Sequence, residues 1–235
     1  MEPAYVIVRN VVVSILRLLF RWRFIGLDKI PKRGPIIIAP NHISNFDPLG
    51  MGLMVDHAGR RPRFLAKASL WKVPVLGWLF SNAKQIPVER GSGHREPFDA
   101  AVRALKRGEC IVLYPEGTIT KNPDLTPMQG KKGIARMALQ SGAAVVPVGQ
   151  WGLQWYIAKY HKSSWRPFRT VMYNIGDPMT FEDVPPEMHH DDATLRDVTD
   201  RIMAEIDRLV RELHKIHPEG AAIPPLKEPK GQPHG

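Results

Sequence analysis

Apolar positions recur along this chain with two alternating periods. The run "GPIIIAP" is short, branched and unbroken, and it predicts a strand buried on both faces. Runs at "PRFLAKASL", "KQIPVER", "CIVLYPEG", "AVVPVGQWG" and "FRTVMYNIGDPM" predict further strands. Between them the period lengthens to that of a helix. Pro48 suits a first helical position, with Asp47 as the cap before it, so a helix is expected to about Ala58. "PFDAAVRALKRGE" places Phe98, Val102 and Leu105 on one face, and "GKKGIARMALQSG" predicts a helix ending at Gly142. Residues 191–217 carry Leu195, Val198, Ile202, Ile206, Leu209 and Leu213 on one stripe. "VPVLGWLFSNA" is apolar almost throughout and is expected to be helical or membrane-facing. Residues 218–235 are rich in Pro and Gly, lack a core pattern and are expected to be a disordered tail.

Strands alternate with helices, which predicts an α/β fold: a single three-layer domain with a central, mostly parallel sheet flanked by helices. A chain of 235 residues suffices for one such core.

The N-terminus adds a separate element. In "AYVIVRNVVVSILRLLFRWRF" the longest uncharged run, Asn10 to Leu16, is far short of the ~20 residues that span a bilayer. No small-residue cleavage site follows it, so a signal peptide is not expected. At helical spacing Arg9, Asn10, Ser14, Arg17 and Arg21 share a wedge of about 140°, leaving a wide apolar face that ends in Trp22 and Phe24. That pattern predicts a helix lying in a membrane interface, its arginines reaching lipid phosphates; the alternative is a helix packed on the protein's own core. The expected division is therefore an interfacial helix over 1–24, the main domain over 25–217 and the tail over 218–235.

Charge sharpens this picture. The net charge is +10, and residues 1–40 carry seven cations against two acids, half of that excess. An anionic partner follows: nucleic acid, an acidic membrane surface or a phosphorylated substrate. Nucleic acid is disfavoured, because no recognition motif or aromatic-basic interleaving is present. The single cysteine, Cys110, excludes a disulfide framework and reads as a small core residue. Together these points predict a peripheral or monotopic location at the cytoplasmic face of the cell membrane.

The candidate chemistry sits at strand ends, where open α/β sheets gather ligands. "NHISNFD" follows one buried strand, "ER" another and "EGT" a third, so His42, Asp47, Arg90, Glu116 and Thr118 are expected to converge. Spacing alone does not single out His42 and Asp47, because "HREPFD" repeats it with His94 and Asp99. The second pair lacks a strand before it and reads as solvated. On a continuous helix five residues separate side chains by about 140°, so His42 and Asp47 can pair only across a turn. Asn41, Ser44 and Asn45 are turn formers. A carboxylate returning to the imidazole would set its tautomer and raise its basicity. No G-x-S-x-G elbow is present. The pair reads as a general base acting on a substrate hydroxyl.

"NHISNFD" resembles the N-H-x-S-x-x-D signature of the glycerolipid acyltransferases, the family of lysophosphatidic acid and glycerol-3-phosphate acyltransferases. "QIPVER", "YPEGTIT" and "VVPV" resemble that family's later blocks, in the family's order; "AKASL" and "KKGIARMAL" resemble the segments between and after them. The resemblance runs from about Ile25 to about Gly152. It implies that His42, oriented by Asp47, deprotonates a glycerol hydroxyl that attacks the thioester of acyl-CoA or acyl carrier protein, with no acyl-enzyme, no cofactor and no metal. It implies that Lys67 is an oxyanion candidate. Arg90, Glu116, Gly117, Thr118 and Lys121 would form the acceptor phosphate site, with Lys131 and Lys132 adding positive potential. The implied product is phosphatidic acid from 1-acylglycerol-3-phosphate, and the implied partners are a phospholipid membrane surface and a lysophospholipid acceptor. One departure bears on the acceptor: the family's arginine after E-G-T is Ile119 here. A different lysophospholipid, glycerol-3-phosphate or a glycolipid is the alternative. A hydrolase or transacylase using the same base, or a non-enzymatic binding module, are the competing classes.

Overall fold

The computed structural model describes residues 3–88 and 96–227. Arg90 and His94 lie outside the described residues. Seven strands form one sheet: β1 (Arg21–Ile25), β2 (Ile36–Pro40), β3 (Pro62–Lys67), β4 (Ile86–Val88), β5 (Cys110–Val112), β6 (Ala144–Trp151) and β7 (Thr170–Ile175). Their spatial order is β1-β7-β6-β2-β5-β3-β4. Every neighbouring pair is parallel except β6 with β7. Helices α1 (Pro3–Leu19), α2 (Asp47–His57), α3 (Pro74–Asn82), α4 (Glu96–Lys106), α5 (Gly133–Ser141) and α6 (Asp192–Ile216) complete it. The expected three-layer α/β architecture is present.

The layers follow from alternation along the strands. All five residues of β2 are buried. Ile37 and Ala39 face a core built with α4, α5 and α6, which includes Leu105, Ile134, Leu195, Ile202 and Leu213. Ile36 and Ile38 face the opposite core, with Leu16 of α1, Met51 and Met54 of α2, and Tyr173. A strand covered on both sides needs no polar face, which is why the sequence reads as an unbroken apolar run. Cys110 belongs to the second core, and burial pushes its thiol up to about 12, so it is an inert protonated packing residue.

Two expected boundaries move. The N-terminal helix ends at Leu19, not near residue 24, and Arg21–Ile25 forms strand β1 paired with β7. The alternation of exposed Arg21 and Arg23 with partly buried Trp22 and Phe24 is a period of two, which a helical wheel absorbs when it is run four residues too far. Helix α1 buries one part of its apolar face and exposes another. Leu16 is buried, while Val11, Ile15 and Leu18 are exposed on the side away from it. No helix among the described residues is long and apolar enough to cross a membrane.

The tail also differs from expectation, because residues 218–227 pack on the domain. Glu219 pairs with buried Arg169 (2.5 Å), Gln154 Nε2 donates to the Ala222 carbonyl (3.2 Å), and Lys227 Nζ donates to the Ala158 carbonyl (2.7 Å). Backbone and charge pairing hold this segment without a hydrophobic period.

Candidate active site

The parallel order places the carboxyl ends of β2 and β5 side by side. The turn after β2 and the turn after β5 meet there. His42 N–H donates to Glu116 Oε1 (2.8 Å), and Met128 N–H donates to Glu116 Oε2 (2.9 Å). One buried carboxylate thus ties together the His42 turn, the 114–118 turn and the 120–130 loop. Thr120 N–H adds a backbone bond to the His42 carbonyl (2.8 Å). Burial pushes the Glu116 carboxyl up to about 7, against the two backbone donors that favour its charged form.

Asp47 departs from the expected helix cap. It occupies the first turn of α2 and caps nothing there. Its Oδ2 turns back and accepts from Ile43 N (2.7 Å), Ser44 N (2.9 Å) and His42 Nδ1 (2.8 Å). The two backbone donors make a tight turn of residues 43–47, which brings His42 and Asp47 together across the gap a helix would leave. A carboxylate can only accept, so Nδ1 is the donor in this bond and Nε2 is the ring nitrogen not engaged by Asp47. Asp47 is fully buried, whereas the His42 side chain keeps 16 % exposure. The imidazole is therefore partly open to solvent, whereas the carboxylate beside it is not.

Other residues brace this pair. The Tyr114 ring stacks on His42 with centroids 4.1 Å apart and planes 25° from parallel. Asp47 Oδ1, the Tyr114 hydroxyl and the Tyr173 hydroxyl are buried without hydrogen-bond partners among the described residues. Burial pushes both phenols well above their ordinary range, and the Asp47 charge adds to it, so both remain neutral. Asn41 exchanges two bonds with the backbone of Gln150 (2.8 and 3.2 Å), and Gln150 Nε2 donates to the Asn41 carbonyl (2.5 Å). Ser44 Oγ donates to the Tyr156 carbonyl, and Asn45 Nδ2 donates to the Ile157 carbonyl (3.1 Å). Gln150 and the 156–157 carbonyls were not among the sequence candidates. A glutamine in the apolar strand "AVVPVGQW" was the available signal for the first; the carbonyls carry none, since any residue presents one.

The expected phosphate residues separate. Gly117 adopts a left-handed turn (φ 69°), and its N–H is spent on the Tyr114 carbonyl (3.0 Å), so it is not a free donor. Thr118 N–H has no internal acceptor among the described residues. Lys121 is exposed and Ile119 is buried at 4 %. Lys132 pairs with Asp192 at the start of α6. Lys131 differs: a side chain on Gly117 would meet its Nζ at 2.8 Å and its Cε at 2.9 Å. Its ammonium lies across the turn next to Glu116, without an ion-pair partner among the described residues. Lys67 ends β3 on the same edge, exposed and without a hydrogen bond to His42 or Asp47. Asp99 is exposed on α4, as a solvated residue should be.

A model of the acyltransferase family, described simply as Acyltransferase, matches residues 21–151. The chain belongs to this acyltransferase family. The match begins at β1 and ends with β6, so it contains the His42 and Glu116 turns. A 1-acyl-sn-glycerol-3-phosphate acyltransferase of Borreliella burgdorferi is 32 % identical over 130 residues, covering 52 % of this chain and 48 % of that protein. A lyso-ornithine lipid O-acyltransferase of Pseudomonas aeruginosa is 32 % identical over 117 residues, covering 49 % of this chain and 43 % of that one. The chain thus spans about half the length of these curated relatives. The crystal structure of the 1-acyl-sn-glycerophosphate acyltransferase PlsC from Thermotoga maritima superposes with a TM-score of 0.65 at 25 % identity, covering 89 % of this chain and 81 % of that one.

Proposed function

We propose that this acyltransferase moves a fatty acyl group from acyl-CoA or acyl carrier protein to the free hydroxyl of 1-acylglycerol-3-phosphate, giving phosphatidic acid. The observation that carries the reading is the His42–Asp47 bond (2.8 Å), with Asp47 buried and the His42 side chain partly exposed. In the proposed step Nε2 takes the hydroxyl proton as the oxygen attacks the thioester carbonyl. The new C–O bond forms, the tetrahedral oxyanion collapses, and the C–S bond breaks. The departing thiolate takes the proton back from the imidazolium. No covalent acyl-enzyme is required.

The oxyanion and the acceptor headgroup need positive partners. Thr118 N–H, Lys121 and Lys131 border the site described above, and Lys67 stands two strands away on the same edge. We propose that the enzyme works peripherally at the cytoplasmic face of the membrane. The exposed Val11, Ile15 and Leu18 of α1 and the surplus of cations support this placement.

A second acceptor reading has its own support. Ile119 is buried where the family resemblance leads one to expect an arginine, and one relative is named for a lyso-ornithine lipid. The deciding assay offers labelled acyl-CoA and a panel of lysolipids to purified protein, wild type beside His42→Ala. Transfer confined to lysophosphatidate supports the first reading, and transfer to another lysolipid supports the second. Full activity in His42→Ala would overturn both.

A further inference from the structure

Residues 156–168 connect the end of β6 to β7 and lie beyond the 21–151 family match. The inner side of this segment supports the catalytic turn. The Tyr156 carbonyl accepts from Ser44 Oγ, and the Ile157 carbonyl accepts from Asn45 N (3.4 Å) and Asn45 Nδ2 (3.1 Å). Its outer side exposes three large apolar side chains to water. Ile157 is 47 % exposed, Trp165 59 % and Phe168 58 %.

Two of these side chains are held outward at a cost. Ile157 and Phe168 adopt φ of 44° and 61°, the left-handed region that branched and bulky residues avoid. Strain of this kind persists only where the surroundings over-determine it. Here the surroundings are the Asn45 bonds on one side and, on the other, a bond from Phe168 N–H to the Leu19 carbonyl (2.8 Å).

That second bond joins the loop to the end of α1. Leu19 and Phe20 share an apolar hollow with Tyr156, Trp165, Arg166 and Pro167. Leu18 is 72 % exposed beside it. The apolar side chains of helix and loop therefore form one seam rather than scattered points. Charge runs with it: residues 152–176 contain four cations, Lys159, Lys162, Arg166 and Arg169, and no acidic residue. Arg169 is committed to Glu219; Lys159 and Arg166 are exposed.

We infer that residues 156–168 are a lipid-docking element, which seats Ile157, Trp165 and Phe168 at the boundary between headgroups and acyl chains of an anionic bilayer. Exposed tryptophan, phenylalanine and isoleucine, with exposed Lys159 and Arg166 in the same segment and its one acidic neighbour, Glu219, neutralised by Arg169, match the chemistry of that boundary, aromatic bodies below and charge at the phosphate level. The inference rests on the membrane reading above and adds to it a second anchor, tied by the Ile157 carbonyl to Asn45, two residues before Asp47. Docking would place the His42 turn at the depth where a lysolipid hydroxyl lies.

The test uses the full chain and sedimentation with vesicles of phosphatidylcholine, with and without phosphatidylglycerol. Wild type is compared with W165S/F168S in the loop and I15S/L18S in α1. Both loop sites are exposed, and thermal melts check that the fold is kept. The loop variant is expected to lose about tenfold or more of its partition onto anionic vesicles, as two partly inserted aromatic side chains imply. Trp165 fluorescence, isolated by difference from Trp165→Phe, is expected to be quenched by lipids brominated at the top of the acyl chain. If wild type fails to bind vesicles, the membrane reading itself falls and takes this inference with it. If wild type binds and I15S/L18S does not, while W165S/F168S binds like wild type, only the loop inference is overturned. Unquenched Trp165 in vesicle-bound protein overturns it as well.

Discussion

Tyr114 lies flat against the His42 imidazole, with ring centroids 4.1 Å apart. The ring covers one face of the imidazole, and under the proposed mechanism it would fix the plane in which a hydroxyl approaches. Such a contact contributes on the order of 1 kcal/mol beyond area burial. Tyr114→Phe keeps the stack, and we expect kcat within about threefold of wild type. Tyr114→Ala frees the imidazole, and kcat should fall about tenfold or more. Steady-state assays with labelled acyl-CoA check both; equal activity in Tyr114→Ala would remove the role.

Asp47 offers one oxygen to two backbone amides and the imidazole. Asp47→Asn keeps the volume but replaces one acceptor with a donor. The amide can satisfy the turn or orient Nδ1–H, but not both well. We expect kcat to drop roughly 10²–10⁴-fold, the usual worth of a positioned base, with little change in acceptor KM. A large KM effect with kcat retained would show that Asp47 serves binding.

Glu116 gives a pH signature in stability. Its folded value, about 7, is raised above the ordinary 4.5 by burial. The neutral form is thus the one folding favours. The stability it contributes is full below pH 4.5 and is lost as pH rises through about 7, a change on the order of 3 kcal/mol at most. Glu116→Gln cannot ionise, so the melting difference between the two proteins should drift across pH 4.5–7 and level off above it. A flat difference would show that Glu116 stays charged throughout. The amide also cannot accept from both His42 N–H and Met128 N–H, so kcat should fall in the variant at every pH.

Lys131 and Lys132 are adjacent in sequence and opposite in circumstance. Lys132 is paired with Asp192, whereas Lys131 lies across Gly117 beside the Glu116 turn. Lys131→Met should raise the KM for an anionic acceptor about tenfold and leave kcat near wild type; Lys132→Met should not change KM. A headgroup series of differing charge separates electrostatic binding from a folding effect, since only the former scales with acceptor charge.

Much of the fold was legible because its central strands are covered on both sides. Ile36–Ala39, Cys110–Val112 and Val145–Val148 have no polar alternation to confuse, and α6 has a full apolar stripe with Asp191 capping it. Short and edge elements were harder. The partly exposed β1 carries a two-residue period beside a helix, and the packed 218–227 segment is held by backbone bonds and one ion pair that composition does not reveal. The site divides along the same line.

Residue types at the strand ends, the turn formers between His42 and Asp47, and the order of the strand-end blocks along the chain can be read from the sequence. It could not choose between His42–Asp47 and His94–Asp99 by spacing, because spacing does not set direction. Tertiary structure decided that Asp47 turns backward instead of capping α2, and that Glu116 laces three loops together. It likewise placed the Gly117 amide on the Tyr114 carbonyl, left Lys131 without an ion-pair partner among the described residues, and set the carbonyls of a loop more than a hundred residues away against the His42–Asp47 turn. These are relations between backbone groups that every residue carries, so they exist only once distant segments are brought to the same edge of the sheet.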